Sequence, residues 1–143
     1  MDDTLPLMIS SWLHGNLTDT TESFAVAIRL ATTCREDSPA AIAVAVTELV
    51  QEFHKRNDAG PGAVRLVVFT ATHDLSSAKP AVAARAAGWT QAQYLCLAEM
   101  PTDNDLSRCI RALLIVDRGR GSDPLRAVYL NGAQALRPDV AFE

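Results

Sequence analysis

From residue 24 the chain alternates. In FAVAIRLAT, 24–32, Phe24, Val26, Ile28 and Leu30 fall on one side, and Ala25, Ala27, Arg29 and Ala31 on the other. A period of two predicts a strand, with Arg29 projecting from a face otherwise lined by alanines. The period then lengthens: Ile42, Val46, Leu49, Val50 and Phe53 recur at the spacing of one helical stripe. Asp37 or Ser38 is placed to cap that helix, Pro39 suits its first turn, and NDAGPG, 57–62, ends it.

Further along, VRLVVFTAT, 64–72, predicts a second strand, and PAVAARAAG, 80–88, a short helix stopped by Gly88. Residues 93–98 and 109–116 predict strands three and four, and RGRGSDP, 118–124, a surface loop. The Asn131-Gly132 pair marks a turn, leaving a small hairpin or a turn of helix open for the tail. One long helix against four or five strands means an α+β or α/β domain with one sheet face covered. The opposite face lacks a cover within the chain, and oligomerisation would supply one. Residues 1–22 read as an N-terminal extension before a domain at 23–143, with TDTTES, 18–23, as a polar hinge. The extension's Leu5, Leu7, Ile9 and Trp12 either dock on a surface or belong to a loosely ordered tail. Its apolar stretch is too short to span a membrane and follows two aspartates instead of a basic segment, so neither a membrane anchor nor a signal peptide is expected.

At 143 residues the chain has the size of one domain. A net charge of −4 argues against nucleic acid as a partner, while leaving room for a locally basic site that takes a small anion. Cys34, Cys96 and Cys109 are odd in number and lack metal-ligand spacing, which points to reduced thiols in a cytoplasmic protein. His14, His54 and His73 form no metal motif, so no metal site is expected. There is no phosphate-cradling loop, no G-x-S-x-G, and no histidine placed to activate a cysteine. The expected chemistry needs neither cofactor nor covalent intermediate.

What remains is a set of arginines in apolar surroundings. Arg29 and Arg111 lie within strands, Arg85 on the short helix, and Arg137 after the apolar tail. Arg118, Arg120 and Arg126, which flank a Gly-rich loop, read as solvated or structural, as do Lys55 and Arg56 at a helix end. Each strand arginine has a structural explanation in an edge position or in a pair with Glu99, Glu48 or Asp139, since buried charges need partners. As a group they outnumber the available carboxylates, which suggests a pocket for a ligand with two carboxylates. Glu99 and Tyr129 would supply further polar contacts.

Together AIRLATT, FTATHDL, PAVAAR, GW, CLAEM, LSRCIR, VYL and LRPD resemble the AroH-class chorismate mutases, in order and in spacing, from Phe24 to Asp139. The resemblance implies an α+β fold, a mixed β-sheet flanked by one long and several short helices, three copies forming a pseudo-α/β-barrel with sites at subunit interfaces. It implies the Claisen rearrangement of chorismate to prephenate. It also assigns roles: Arg29 to a substrate carboxylate, Glu99 to the substrate hydroxyl, and Arg111 to the ether oxygen. Cys96 would line the wall beside Glu99, Tyr129 would stand beside a carboxylate, and Arg85 and Arg137 would guard the mouth. As the C–O bond breaks ahead of C–C formation, negative charge gathers on the ether oxygen, where a fixed cation favours the transition state. The strand is expected to hold Arg111 rigid, and its apolar neighbours to keep water away.

Three positions depart from the family pattern. Lys79 stands in place of an aromatic, with its charge near the pocket mouth. Val82 replaces a lysine found in some members. Leu30 replaces a glycine and is expected to crowd the pocket. Two rival readings keep the same arginines: an enzyme acting on another chorismate-derived substrate such as isochorismate, and a non-catalytic trimer that binds an acidic metabolite.

Overall fold

The structure, a computed structural model, describes residues 23–141, so the extension and its hinge lie largely outside the described residues. Strand β1 spans Ser23–Thr33, helix α1 Pro39–Arg56, β2 Val64–Ala71, helix α2 Pro80–Ala86 and β3 Gln93–Ala98. Then come β4 at Cys109–Gly119, β5 at Val128–Tyr129, a 3-10 helix at Asn131–Leu136 and the short helix α3 at Pro138–Ala141. The strands form one mixed sheet in the order β3-β2-β4-β1-β5. β4 pairs antiparallel with β1 and with β2, while β3 and β5 add parallel strands at the two edges. The chain is therefore α+β, one of the two classes its periodicities leave open and the one the family resemblance implies.

Ser38 begins α1 by accepting the backbone N–H of Ala41 at 3.1 Å, and Pro39 fills the first turn without needing a donor. The predicted stripe of Ile42, Val46, Leu49, Val50 and Phe53 is buried to its last member. It packs on Leu30, Val67, Phe69, Leu114 and Val116, which the sheet turns toward the helix. Each such side chain contributes about 1.5–3 kcal/mol by leaving water. At the far end Trp89 packs edge-on against Phe53, at 6.0 Å between ring centres. Its buried indole N–H donates to His54 Nε2 at 2.7 Å, so Nδ1 carries the proton that His54 gives to the carbonyl of Ala59.

Among the described residues, no layer covers the other face of the sheet. Leu66, Leu95, Leu97 and Leu113 lie exposed there, with Val68 and Ile115 between them. At the β5 end it is covered, where Ala133 of the 3-10 helix packs on Ala31 and Tyr129. That segment is a turn of helix rather than a hairpin. Asn131 takes a φ of 54°, and Gly132 donates its N–H to Thr33 Oγ1 at 3.0 Å. A β-carbon on Gly132 would sit 3.1 Å from the same oxygen, so a larger residue would have to push Thr33 aside.

β4 runs past the predicted end at 116. Arg118, expected in a solvated loop, is only 6% exposed and donates to the carbonyls of Asp58 and Asp123 at 2.8 and 2.7 Å. The structural alternative for this arginine holds, in a buried rather than a solvated form. Two backbone carbonyls, not a carboxylate, take up its fork.

Candidate active site

The antiparallel β1–β4 ladder sets Arg29 opposite Leu113 and Ala31 opposite Arg111. On the far side of β1, Ala31 pairs with Tyr129 of β5. Directly paired residues point to the same face, so Arg111, Ala31 and Tyr129 form a row on the face away from α1, with Arg29 one step along β1. A groove of about 360 Å³ opens beside this row, lined by Arg29, Leu113, Leu125, Arg126, Tyr129 and Arg137, among others. Its size suits one small molecule.

Arg137 holds Asp139 through two parallel hydrogen bonds of 3.0 and 2.8 Å. The carboxylate raises the guanidinium's pKa above its ordinary value, with a smaller push from Tyr129 beside it. The Asp139 carboxyl is lowered in return. Among the described residues no side chain pairs with Arg29 or Arg126.

Glu99 follows β3 but turns its carboxylate to the open face. Its Oε1 accepts the hydroxyl of Thr70 and lies 3.5 Å from Arg111 Nε. Cys109 stands beside Arg111, and burial raises its thiol pKa while the guanidinium opposes the shift. Burial likewise pushes the Cys34 thiol up to about 11. All three cysteines are free. Among the described residues no three His, Cys, Asp or Glu side chains gather where they would hold a metal ion, and no helix is long and apolar enough to cross a membrane.

The remaining expected residues sit elsewhere. Cys96 pairs with Phe69 and packs on the core, hence on the α1 face of β3. Arg85, on α2, lies over the ring of Tyr94 at 4.8 Å, on that same face. Lys79 caps the start of α2, exposed and without a capping bond from its side chain. Within one chain, then, Cys96 does not share a wall with the Glu99 carboxylate: the alternation of β3 sends them to opposite faces. Two further expectations are corrected. Leu30 does not crowd the groove, because the pleat turns it into the core, where it is 1% exposed. The Arg111 side chain is 46% exposed, so the apolar strand alone does not exclude water from it.

Arg126 and Thr70 were not anticipated as site residues. Arg126 reads as part of a polar loop, and only its place just before β5 hints at the groove. Thr70 offered the alternation of VVFTA, which places it opposite Phe69, but strand register was needed to set it beside Arg111.

A family model described as chorismate mutase type I matches residues 25–140. The chorismate mutase AroH of Thermus thermophilus is 40% identical over 114 residues, covering 79% of this chain and 93% of its own length. The chorismate mutase AroH of Bacillus subtilis (strain 168) is 33% identical over 116 residues, covering 80% of this chain and 91% of its own. Among solved structures, a chorismate mutase from Clostridium thermocellum aligns with a TM-score of 0.69 at 33% identity, covering 77% of this chain and 98% of that one.

Proposed function

The chain belongs to the type I chorismate mutases, and we propose that its active site is completed between neighbouring subunits of a homotrimer. It is an isomerase that rearranges chorismate to prephenate on the way to the aromatic amino acids. The reaction is intramolecular and passes neither protons nor electrons to another molecule. Side chains that orient the substrate and meet its developing charge are enough to drive it, with no cofactor.

One observation carries the assembly. Cys96 belongs to β3 and Tyr129 to β5, and these are opposite edges of the sheet. Four strand spacings separate them, about 19 Å, and the Cys96 and Arg85 side chains point to the other face. No small dicarboxylate touches both arrays within one chain. A second copy whose β3 edge and α2 dock over the groove of the first would bring them together. Docking on the uncovered leucines would also bury Arg111, giving it the dry surroundings in which a cation acts most strongly. Such a contact joins two different edges and so repeats head to tail, and a closed ring of three is the assembly we propose.

In this site Arg29 binds one substrate carboxylate, and Tyr129 and Arg137 line the same wall. Arg111 donates to the ether oxygen as the C–O bond lengthens, and Glu99 accepts the hydroxyl of the ring. The neighbouring subunit brings Arg85, Cys96 and Lys79. Holding the enolpyruvyl arm over the ring carbon adds the orientational part of the acceleration. The match from residue 25 onward supports 23–143 as the catalytic domain and 1–22 as an extension to it. Free thiols support a cytoplasmic location.

Co-expression of two inactive variants tests the shared site. Arg111→Ala and Arg85→Ala disable opposite walls, so mixed trimers contain some intact sites and regain activity, with prephenate identified by NMR. Light scattering gives three times the 15.4 kDa chain mass. A mixture no more active than its parts, or an active monomer, overturns the assembly.

A further inference from the structure

The groove holds three guanidiniums, and they are not equivalent. Arg137 already shares its charge with Asp139 in a two-bonded pair. Arg29 and Arg126 line the same groove, and neither pairs with a carboxylate among the described residues. On this wall a substrate with two carboxylates meets two guanidiniums that carry no carboxylate of their own, besides the cations the neighbouring subunit brings. We propose that Arg126 is the second one: a specificity-determining residue whose guanidinium binds the substrate carboxylate that Arg29 does not. The proposal rests on the groove being the substrate site.

The backbone around Arg126 is built to hold it. Asn57 ends α1 and is 7% exposed. Its Oδ1 accepts the N–H of Arg126 at 2.7 Å, and its Nδ2 donates to the Arg126 carbonyl at 3.1 Å and to the Phe53 carbonyl at 3.0 Å. The buried fork of Arg118 ties Asp123 in the preceding loop to Asp58 at the same helix end. Asn57 thus fixes the main chain of Arg126 to the end of α1, and Arg118 fixes the loop before it, while the Arg126 side chain stays exposed at the groove. A fixed main-chain origin reduces the order the guanidinium must gain on binding a ligand.

Arg126→Gln removes the charge and leaves the Asn57 bonds, which are to main-chain atoms, so its Tm stays at the wild-type value. We expect KM for chorismate to rise roughly tenfold at low salt, the order expected for one lost charge-assisted hydrogen bond. The ratio shrinks as salt screens the wild-type attraction. Because the contact exists in substrate and transition state alike, kcat stays within about twofold. Arg126→Lys recovers part of the affinity without the fork geometry. A KM within about twofold of wild type for Arg126→Gln at low salt overturns the proposal. Arg29→Gln, assayed alongside, separates the two readings. If it is impaired while Arg126→Gln is normal, only the role of Arg126 fails. If both are normal, the groove is not the substrate site.

Discussion

Glu99 and Arg111 meet across β2, with Glu99 Oε1 lying 3.5 Å from Arg111 Nε while accepting the Thr70 hydroxyl. The pair is lopsided: the Glu99 side chain is 18% exposed and that of Arg111 46%. One loose contact engages the Nε side of the guanidinium, and the Cys109 thiol stands beside it. An ion pair this open contributes little to stability. In the proposed site its consequence is positional, since it would orient the cation while leaving donors to point at a substrate.

Replacing Arg111 with Ala therefore lowers kcat by at least the roughly 10²–10³-fold typical of losing one donor to a developing oxyanion. Lysine restores only part, because a point charge cannot both face Glu99 and donate in a fork. Steady-state kinetics on chorismate decide the matter. A wild-type kcat in Arg111→Ala would remove this cation from the chemical step.

Thr70 acts on Glu99 through one hydroxyl. Thr70→Val keeps the shape of the side chain and loses that bond, freeing the carboxylate to close on Arg111. A fall in kcat/KM of about tenfold is expected, the scale of one hydrogen bond to a charged group. Thr70→Ser should restore it. If valine and serine behave alike, Thr70 is a strand residue and nothing more.

His54 carries a stability prediction. In His54→Leu the Trp89 N–H stays buried with no acceptor, which costs about 1–3 kcal/mol. Chemical denaturation measures the loss. Adding Trp89→Phe removes the stranded donor, so the double variant should lose less than the two single losses combined. Additive losses would mean that the bond between His54 and Trp89 is unimportant.

Asp74 links pH to stability. Its carboxylate accepts the Thr72 hydroxyl at 2.6 Å and the Arg108 N–H at 3.0 and 2.9 Å. Led by the Thr72 bond, these contacts lower its pKa below the ordinary 3.8. The unfolded chain then binds this proton more readily than the folded one. The contribution is fully present above about pH 4–5 and disappears as pH falls through the lowered folded value. Tm should drop with acidification in that window, and less steeply in Asp74→Asn. Parallel curves for the two proteins would show that Asp74 is not a source of the acid sensitivity.

Most of the secondary structure was legible because its signals are local. The stripe from Ile42 to Phe53, the Ser38 cap and the alternation around Arg29 each depend on residues within a turn or two of chain. Legibility failed where long-range pairing decides. The run around Arg118 resembles a loop because its glycines are read without β1, whose Ser23 and Phe24 pair with Gly119 and Arg118 and keep the strand going. Leu30 resembled an obstruction to the site until the pleat showed which way it points.

The site divides along the same line. The sequence by itself determined which residue types are proposed to carry the chemistry, through motifs that resemble one enzyme family and through arginines with few matching buried carboxylates. Tertiary structure decided which of those arginines are free. Asp139 occupies Arg137, backbone carbonyls occupy Arg118, and Asn57 delivers Arg126 to a groove no motif assigns it to. The physical reason is that a composition counts charges, whereas availability depends on which partner lies within hydrogen-bonding distance. That distance is set by strand order and register, which bring together residues far apart in the chain and send near neighbours to opposite faces.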